Sequence, residues 1–247
     1  MSLIIPANTL ASGGYEVDNS LRFNGGSSDY LNKTLGTATN AQKYTISFWV
    51  KRSKITATQT LFEAYINATN FSFLNFNAND ALDIDFISSN SEVMHLKTNA
   101  VFRDTSAWYH IVLAIDATNG TASDRNKLYI NGVQETSFSV ETNHPQNTTL
   151  QFNTAIEHLI GADKGNGGGS LGTYYDGYMA EFVFIDGQQL TPTSFGEFDE
   201  DSGIWKPIDV SGLTFGDNGY YLDFKDSAAL GDDVSGKIGR ASCRERV

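Results

Sequence analysis

Apolar and polar residues alternate along much of this chain. In Tyr44–Lys51 the residues Tyr44, Ile46, Phe48 and Val50 fall on one face, and in Tyr109–Asp116 so do Tyr109, Ile111, Leu113 and Ile115. Ser20–Phe23 and Leu82–Phe86 show the same alternation of about two residues, and Tyr178–Ile185 reads as another strand. That period belongs to half-buried strands, because successive side chains of a strand point to opposite faces of the sheet. No stretch sustains an amphipathic helical pattern. Asn131-Gly132, between Lys127–Ile130 and Val133-Gln134, tolerates the positive φ angles of a tight turn and predicts a hairpin. Asn24–Asp29 and Asp186-Gly187 read as further turns. Short strands spaced by roughly 8–12 residues predict an all-β sandwich or barrel rather than an α/β fold. The expected core contains Phe23, Ile46, Phe48, Ile111, Leu113, Leu128, Ile130 and Phe182.

After Leu190 the texture changes. Thr191 followed by Pro192 predicts a short helical turn, with Thr191 as N-cap and Pro192 in the first helical position. Asp199-Glu200-Asp201 reads as a solvated acidic run, and Tyr220–Lys225 as another strand. The expected organisation is an N-terminal arm over 1–14, a main domain over 15–190 and the start of a truncated C-terminal segment over 191–236. The other reading of the last strand has it pairing back onto the main domain. The arm has no basic residue and is interrupted by Pro6 and Asn8, so it does not read as a secretory signal.

Composition narrows the classes. Of 247 residues 19% are charged, 12% are aromatic and only four are Pro, which excludes a disordered acidic chain. A net charge of -12 argues against nucleic acid, whose phosphates demand a basic surface. No apolar run approaches the roughly 20 residues that cross a bilayer, so membrane insertion is not expected. A single Cys forms no intramolecular disulfide.

The tail 237–247 differs from everything before it. It holds that Cys and four of the 17 basic residues. Ile238–Val247 resembles the translation of one frame of a common sequencing-adapter oligonucleotide, which implies read-through and a true gene that continues past Gly236. A short basic tail is the plainer alternative.

Trp108–Leu113, Asp116, Lys127–Gly132 and Tyr175–Glu181 follow one another in that order. Together they resemble the concanavalin A-like, laminin-G-like jelly roll, with its aromatic-rich strand, "YING" hairpin, Gly-rich loop and "DGxxxE" strand. The resemblance covers roughly 15–190 and implies an antiparallel two-sheet jelly-roll sandwich. Leu3–Leu10, Ser47–Ser53, Phe184–Pro192 and Gly219–Phe224 are further similar to uncharacterised tail-associated proteins of aquatic bacteriophages. That likeness implies a virion protein, made in the host cytoplasm and needing no export signal.

Candidate chemistry is sparse. Jelly-roll glucanases pair carboxylates on one strand face, and retaining hydrolysis needs two carboxyls about 5–5.5 Å apart. Asp83-Ile84-Asp85 has the alternate spacing but lacks the glutamates, and is taken as a solvated strand face. No Gly-x-Ser-x-Gly element occurs, and His95, His110, His144 and His158 show no metal spacing. Laminin-G-like and lectin jelly rolls often hold a structural Ca2+ in loop oxygens. By that resemblance Asp163 and Asp176, in and beside the Gly-rich stretch Gly161–Tyr175, are candidate ligands; in the alternative they serve turns. Asn166, Tyr174 and Tyr175 are candidates for glycan contact, since an aromatic ring offers a sugar an apolar face. The competing reading makes Tyr175 the first inward residue of the next strand.

The expectation that follows is a non-enzymatic binding or structural module of a phage tail or appendage. Its partner would be a host-surface glycan, a neighbouring virion protein or further copies of itself. The alternative is a carbohydrate-active enzyme or its accessory binding domain.

Overall fold

The computed structural model describes residues 15–165 and 168–237 and the backbone of a strand at Ser242–Arg244. In chain order the strands are β1 (Leu21–Phe23), β2 (Tyr30–Thr34), β3 (Lys43–Arg52), β4 (Gln59–Asn67), β5 (Asn70–Phe76) and β6 (Ala81–Ser88). There follow β7 (Ser91–Val101), β8 (Tyr109–Asp116), β9 (Asn126–Ile130), β10 (Val133–Glu135), β11 (Phe138–Thr142) and β12 (Glu157–Ile160). The last are β13 (Gly177–Asp186), β14 (Gly196–Phe198), β15 (Trp205–Pro207), β16 (Tyr220–Leu222) and β17 (Ser242–Arg244). Two antiparallel sheets form the sandwich. One runs β1-β13-β3-β8-β9-β10, with β16 also on β13; the other runs β11-β7-β6-β5-β4-β12-β2-β17. The all-β class and the two-sheet architecture are those expected.

Alternation fixes which side chains meet between the sheets. Tyr44, Ile46, Phe48 and Val50 are all buried on the inner face of β3, opposite Leu82, Ile84 and Phe86 of β6. Seven of the eight expected core residues lie in this cluster, and Ile130 packs against it half-buried. The hairpin at Asn131-Gly132 forms with both residues at positive φ, and Ile130 pairs with Val133. Thr191 and Pro192 open a single 3-10 turn at Pro192–Ser194.

The expected boundary near 190 does not divide the molecule. β16 pairs with β13, Phe182 opposite Leu222, and Tyr220, Leu222 and Phe224 enter the main core. The same stretch lays a second apolar layer on the outer face of the first sheet, where Val112, Val183 and Ile185 bury against Phe195, Val210, Phe215 and Tyr221. The strand therefore pairs back, as in the second reading of the sequence. The physical reason is visible in β8 and β13, whose successive residues are apolar on both faces and so require cover on both.

Candidate functional site

The outer face of the first sheet carries the most distinctive surface. With Ile46, Phe48 and Val50 turned inward, Trp49 is turned outward. It lies in register with Ala180 of β13 on one side and His110 of β8 on the other. Its ring stacks on His110 at 4.8 Å. Trp108, just before β8, is exposed beside them. The third wall comes from β14 and β15, a two-stranded ribbon that lays Trp205 onto the sheet. All three tryptophans of the chain thus line one groove of about 290 Å³, together with Ala180, Pro207, Lys206 and Val17–Ser20.

Trp205 is seated by specific complementarity. A Cβ at Gly132 would lie 2.3 Å from its ring, and one at Gly196 2.6 Å, so only glycine permits the approach. Phe198 meets the indole edge to face at 4.8 Å. The indole Nε1–H donates to His110 Nδ1 at 3.0 Å, which leaves the histidine proton on Nε2, 2.8 Å from Ser47 Oγ. Burial pushes His110 down to about 3, so the ring under the groove is neutral. Lys206 at the rim is held by Asp199 and Glu197 at 3.0 and 3.3 Å. Among the described residues, no protein partner engages the side chains of Asp18, Asn19 and Ser20. Flat indole faces beside free polar groups suit a ligand with an apolar face and a rim of hydroxyls.

The residues singled out from the sequence lie elsewhere. Tyr175 is fully buried, packed edge on against Phe23 at 5.9 Å, with its hydroxyl donating to Lys51 O at 2.7 Å. It offers no face to a glycan and is the inward residue of the competing reading. Tyr174 is half-buried against Tyr30, Leu159 and Ala162. Asn166 lies outside the described residues. Asp163 is buried, its Oδ2 accepting from the hydroxyls of Thr60 (2.9 Å) and Thr173. Asp176 pairs with Arg22 at 2.7 Å. Each aspartate thus has protein partners, and among the described residues neither joins a cluster of three metal-ligating side chains.

The Gly-rich stretch is anchored at Lys164 and Gly165 on the outer face of the second sheet. Both oxygens of buried Glu63 accept its backbone N–H groups, from Lys164 and Gly165, at 2.7 Å. Burial pushes Glu63 up to about 8 against the pull of those two bonds. Gly165 sits where a Cβ would lie 2.2 Å from the Phe71 ring. On the same sheet Asp83 and Asp85 are 8% and 5% exposed, so the solvated strand face expected for them is corrected. Asp83 is enclosed by His95, Lys97 and Asn77.

Sequence reasoning missed the groove because its tryptophans lie far apart in the chain. One signal was present: the alternation that buries Phe48 turns Trp49 outward, onto a face that needs no large aromatic unless something covers or contacts it.

Comparison with known proteins accords with the fold. Residues 24–194 match a laminin-G-type family model described as the concanavalin A-like lectin/glucanases superfamily. Among curated proteins, none matches. A structure described as a candidate carbohydrate-binding protein from Bacteroides ovatus superposes with a TM-score of 0.58 at 15% identity, over 91% of this chain and 57% of its own. A heptameric pentraxin from Limulus polyphemus gives 0.50 at 16%, over 70% and 77%. Domains LG4-5 of mouse laminin α1 give 0.50 at 11%, over 73% and 44%. This chain therefore spans little more than half of the first of these structures and less than half of the last.

Proposed function

This chain belongs to the concanavalin A-like lectin/glucanases superfamily, and from that premise we propose that it is a non-catalytic carbohydrate-binding module whose ligand lies in the tryptophan groove. The observation that carries the reading is the convergence of Trp49, Trp108 and Trp205 on one groove rimmed by Asp18, Asn19 and Ser20. A sugar ring buries its C–H face on an indole while its hydroxyls bond to the rim, which is how aromatic and polar groups divide the work in small-ligand sites. The carbohydrate-binding description of the Bacteroides ovatus relative supports the same class of ligand.

The setting of the module is part of the proposal. The similarity of Leu3–Leu10, Ser47–Ser53, Phe184–Pro192 and Gly219–Phe224 to phage tail-associated proteins supports a virion protein whose glycan is the polysaccharide of a host envelope. The acidic surface repels anionic envelopes in general, so attachment relies on a fitted site rather than on charge.

The test is a glycan array probed with the chain and with Trp108→Ala, with and without calcium. Binding to defined glycans that Trp108→Ala loses supports the reading. Hydrolysis of a bound glycan would move the protein to the enzyme class instead. Absence of glycan binding under every condition, with stable self-association, would favour a purely architectural virion role.

A further inference from the structure

On the second sheet, opposite the tryptophan groove, the β6–β7 hairpin brings together four side chains that the carbohydrate reading does not use. Asp85 and His95 are cross-strand partners, and Asp83 precedes Asp85 by two residues on the same face. His95 Nε2 lies 2.8 Å from Asp83 Oδ1, and Asp83 Oδ2 receives Asn77 Nδ2 at 3.2 Å and Lys97 Nζ at 3.3 Å. Asp83 is thus committed to its neighbours, and it holds the proton of His95 on Nε2. That leaves Nδ1 with its lone pair, and Nδ1 faces Glu92 Oε2 at 3.3 Å. In the neutral ring this is a lone pair against a carboxylate; a positive species between them, either a second ring proton or a metal ion, satisfies both atoms.

A second observation points the same way. Asp85 is 5% exposed, and its Oδ1 has no hydrogen-bond partner. An unpartnered carboxylate oxygen taken out of water is costly unless something positive meets it. One donor atom each from Asp85, Glu92 and His95 lies within 4.8 Å of the other two.

We propose that Asp85, Glu92 and His95 bind a divalent first-row transition cation of the zinc class, with Asp83 as the positioning residue that orients the imidazole. A carboxylate on the far nitrogen of a ligating histidine is the usual means of fixing tautomer and ring direction. Ligand bonds of about 2.0–2.2 Å at tetrahedral angles put donor atoms about 3.4 Å apart. Glu92 Oε2 and His95 Nδ1 already stand 3.3 Å apart, the Glu92 side chain is 61% exposed and free to adjust, and water completes the coordination. The donor set selects the metal: one imidazole with two carboxylates suits zinc, manganese or cobalt, whereas calcium takes six to eight oxygens. Two carboxylate charges balance the dication, and Lys97 balances Asp83. The site does not depend on the carbohydrate reading.

Zinc chloride titrated by calorimetry into the EDTA-treated full chain tests this, with Cys243→Ser in every protein to remove a competing thiol. The expected result is one zinc per chain with micromolar affinity, accompanied by a shift of the His95 imidazole resonances. His95→Gln and Glu92→Gln should each weaken binding at least 10-fold. Glu92 is exposed, so its loss cannot be ascribed to misfolding. The cobalt-loaded protein should show visible bands that Asp83→Asn alters while the fold, read by circular dichroism, persists. Failure to bind zinc at millimolar concentration, or binding that both Gln variants leave unchanged, would overturn the proposal and assign the positive species to a proton on Nδ1.

Discussion

The indole Nε1–H of Trp205 donates to Nδ1 of His110 at 3.0 Å, joining the C-terminal ribbon to the sheet beneath the groove. The bond works only while Nδ1 is unprotonated. It therefore couples the third wall of the groove to the charge of one buried histidine.

Burial lowers His110 to about 3 from its ordinary value of about 6.5. The unfolded chain then binds the proton that the folded chain refuses, so stability is full above about pH 6.5 and falls as the pH drops toward 3. Between pH 6.5 and 5 this one group should remove about 2 kcal/mol. Urea unfolding of the chain and of His110→Gln, each at pH 7 and pH 5, measures the difference. The stability advantage of the natural residue should shrink by that amount at the lower pH; an unchanged advantage would show that His110 titrates normally.

Gly132 sits at φ +80° with the Trp205 ring where a Cβ would go. Gly132→Ala should cost about 1–3 kcal/mol through backbone strain and loss of the indole seat. Tryptophan fluorescence should report greater solvent exposure before global unfolding. Native emission and stability in this variant would contradict the seating described.

Tyr175 is a core residue and Tyr174 a half-buried one, so neither should govern glycan binding. Tyr175→Phe removes the bond to Lys51 O and should lower stability by about 1 kcal/mol with affinity unchanged. A loss of affinity without a loss of stability, in that variant or in Tyr174→Ala, would relocate the site to the Gly-rich loop.

Arg52 and Asp80 form an ion pair at 3.0 Å with both side chains buried, and Arg52 also lies 4.4 Å over the Phe76 ring. Asp80 is held low by Thr56 N–H, Arg103 and Arg52, against the opposing effect of burial. Arg52→Ala leaves Asp80 to Arg103 and the Thr56 N–H alone and should cost up to about 3–5 kcal/mol in a denaturation experiment. Arg52→Met, which keeps the volume, should cost less unless Asp80 requires the guanidinium.

Much of this fold can be read in the chain because alternation is a local signal. β3 and β8 each show it over eight residues, and the inward sets are those found in the core. β4 and β5 were less legible. They carry Glu63 and Asn75 in buried positions, where the anchored loop and neighbouring strands cover a face that composition alone marks as polar. Tyr175 shows the same limit from the other side: a tyrosine beside a Gly-rich loop resembles a ligand contact until the strand register turns it inward. The groove depends on non-local facts. Trp49 meets His110 only through the pairing of β3 with β8, and Trp205 arrives only because the chain after Leu190 folds back.

Carbohydrate binding in the tryptophan groove has a direct readout in the three tryptophans. In a nitrogen-15-labelled chain they contribute three indole N–H signals, assignable by single substitution. Oligosaccharides released from bacterial envelope polysaccharide are titrated while those signals are followed. The Trp49 and Trp108 signals should shift together with one dissociation constant, and Trp108→Ala should weaken binding at least 10-fold. Binding that leaves all three indoles unmoved while shifting residues of the loop around Tyr174 would contradict a site in the groove.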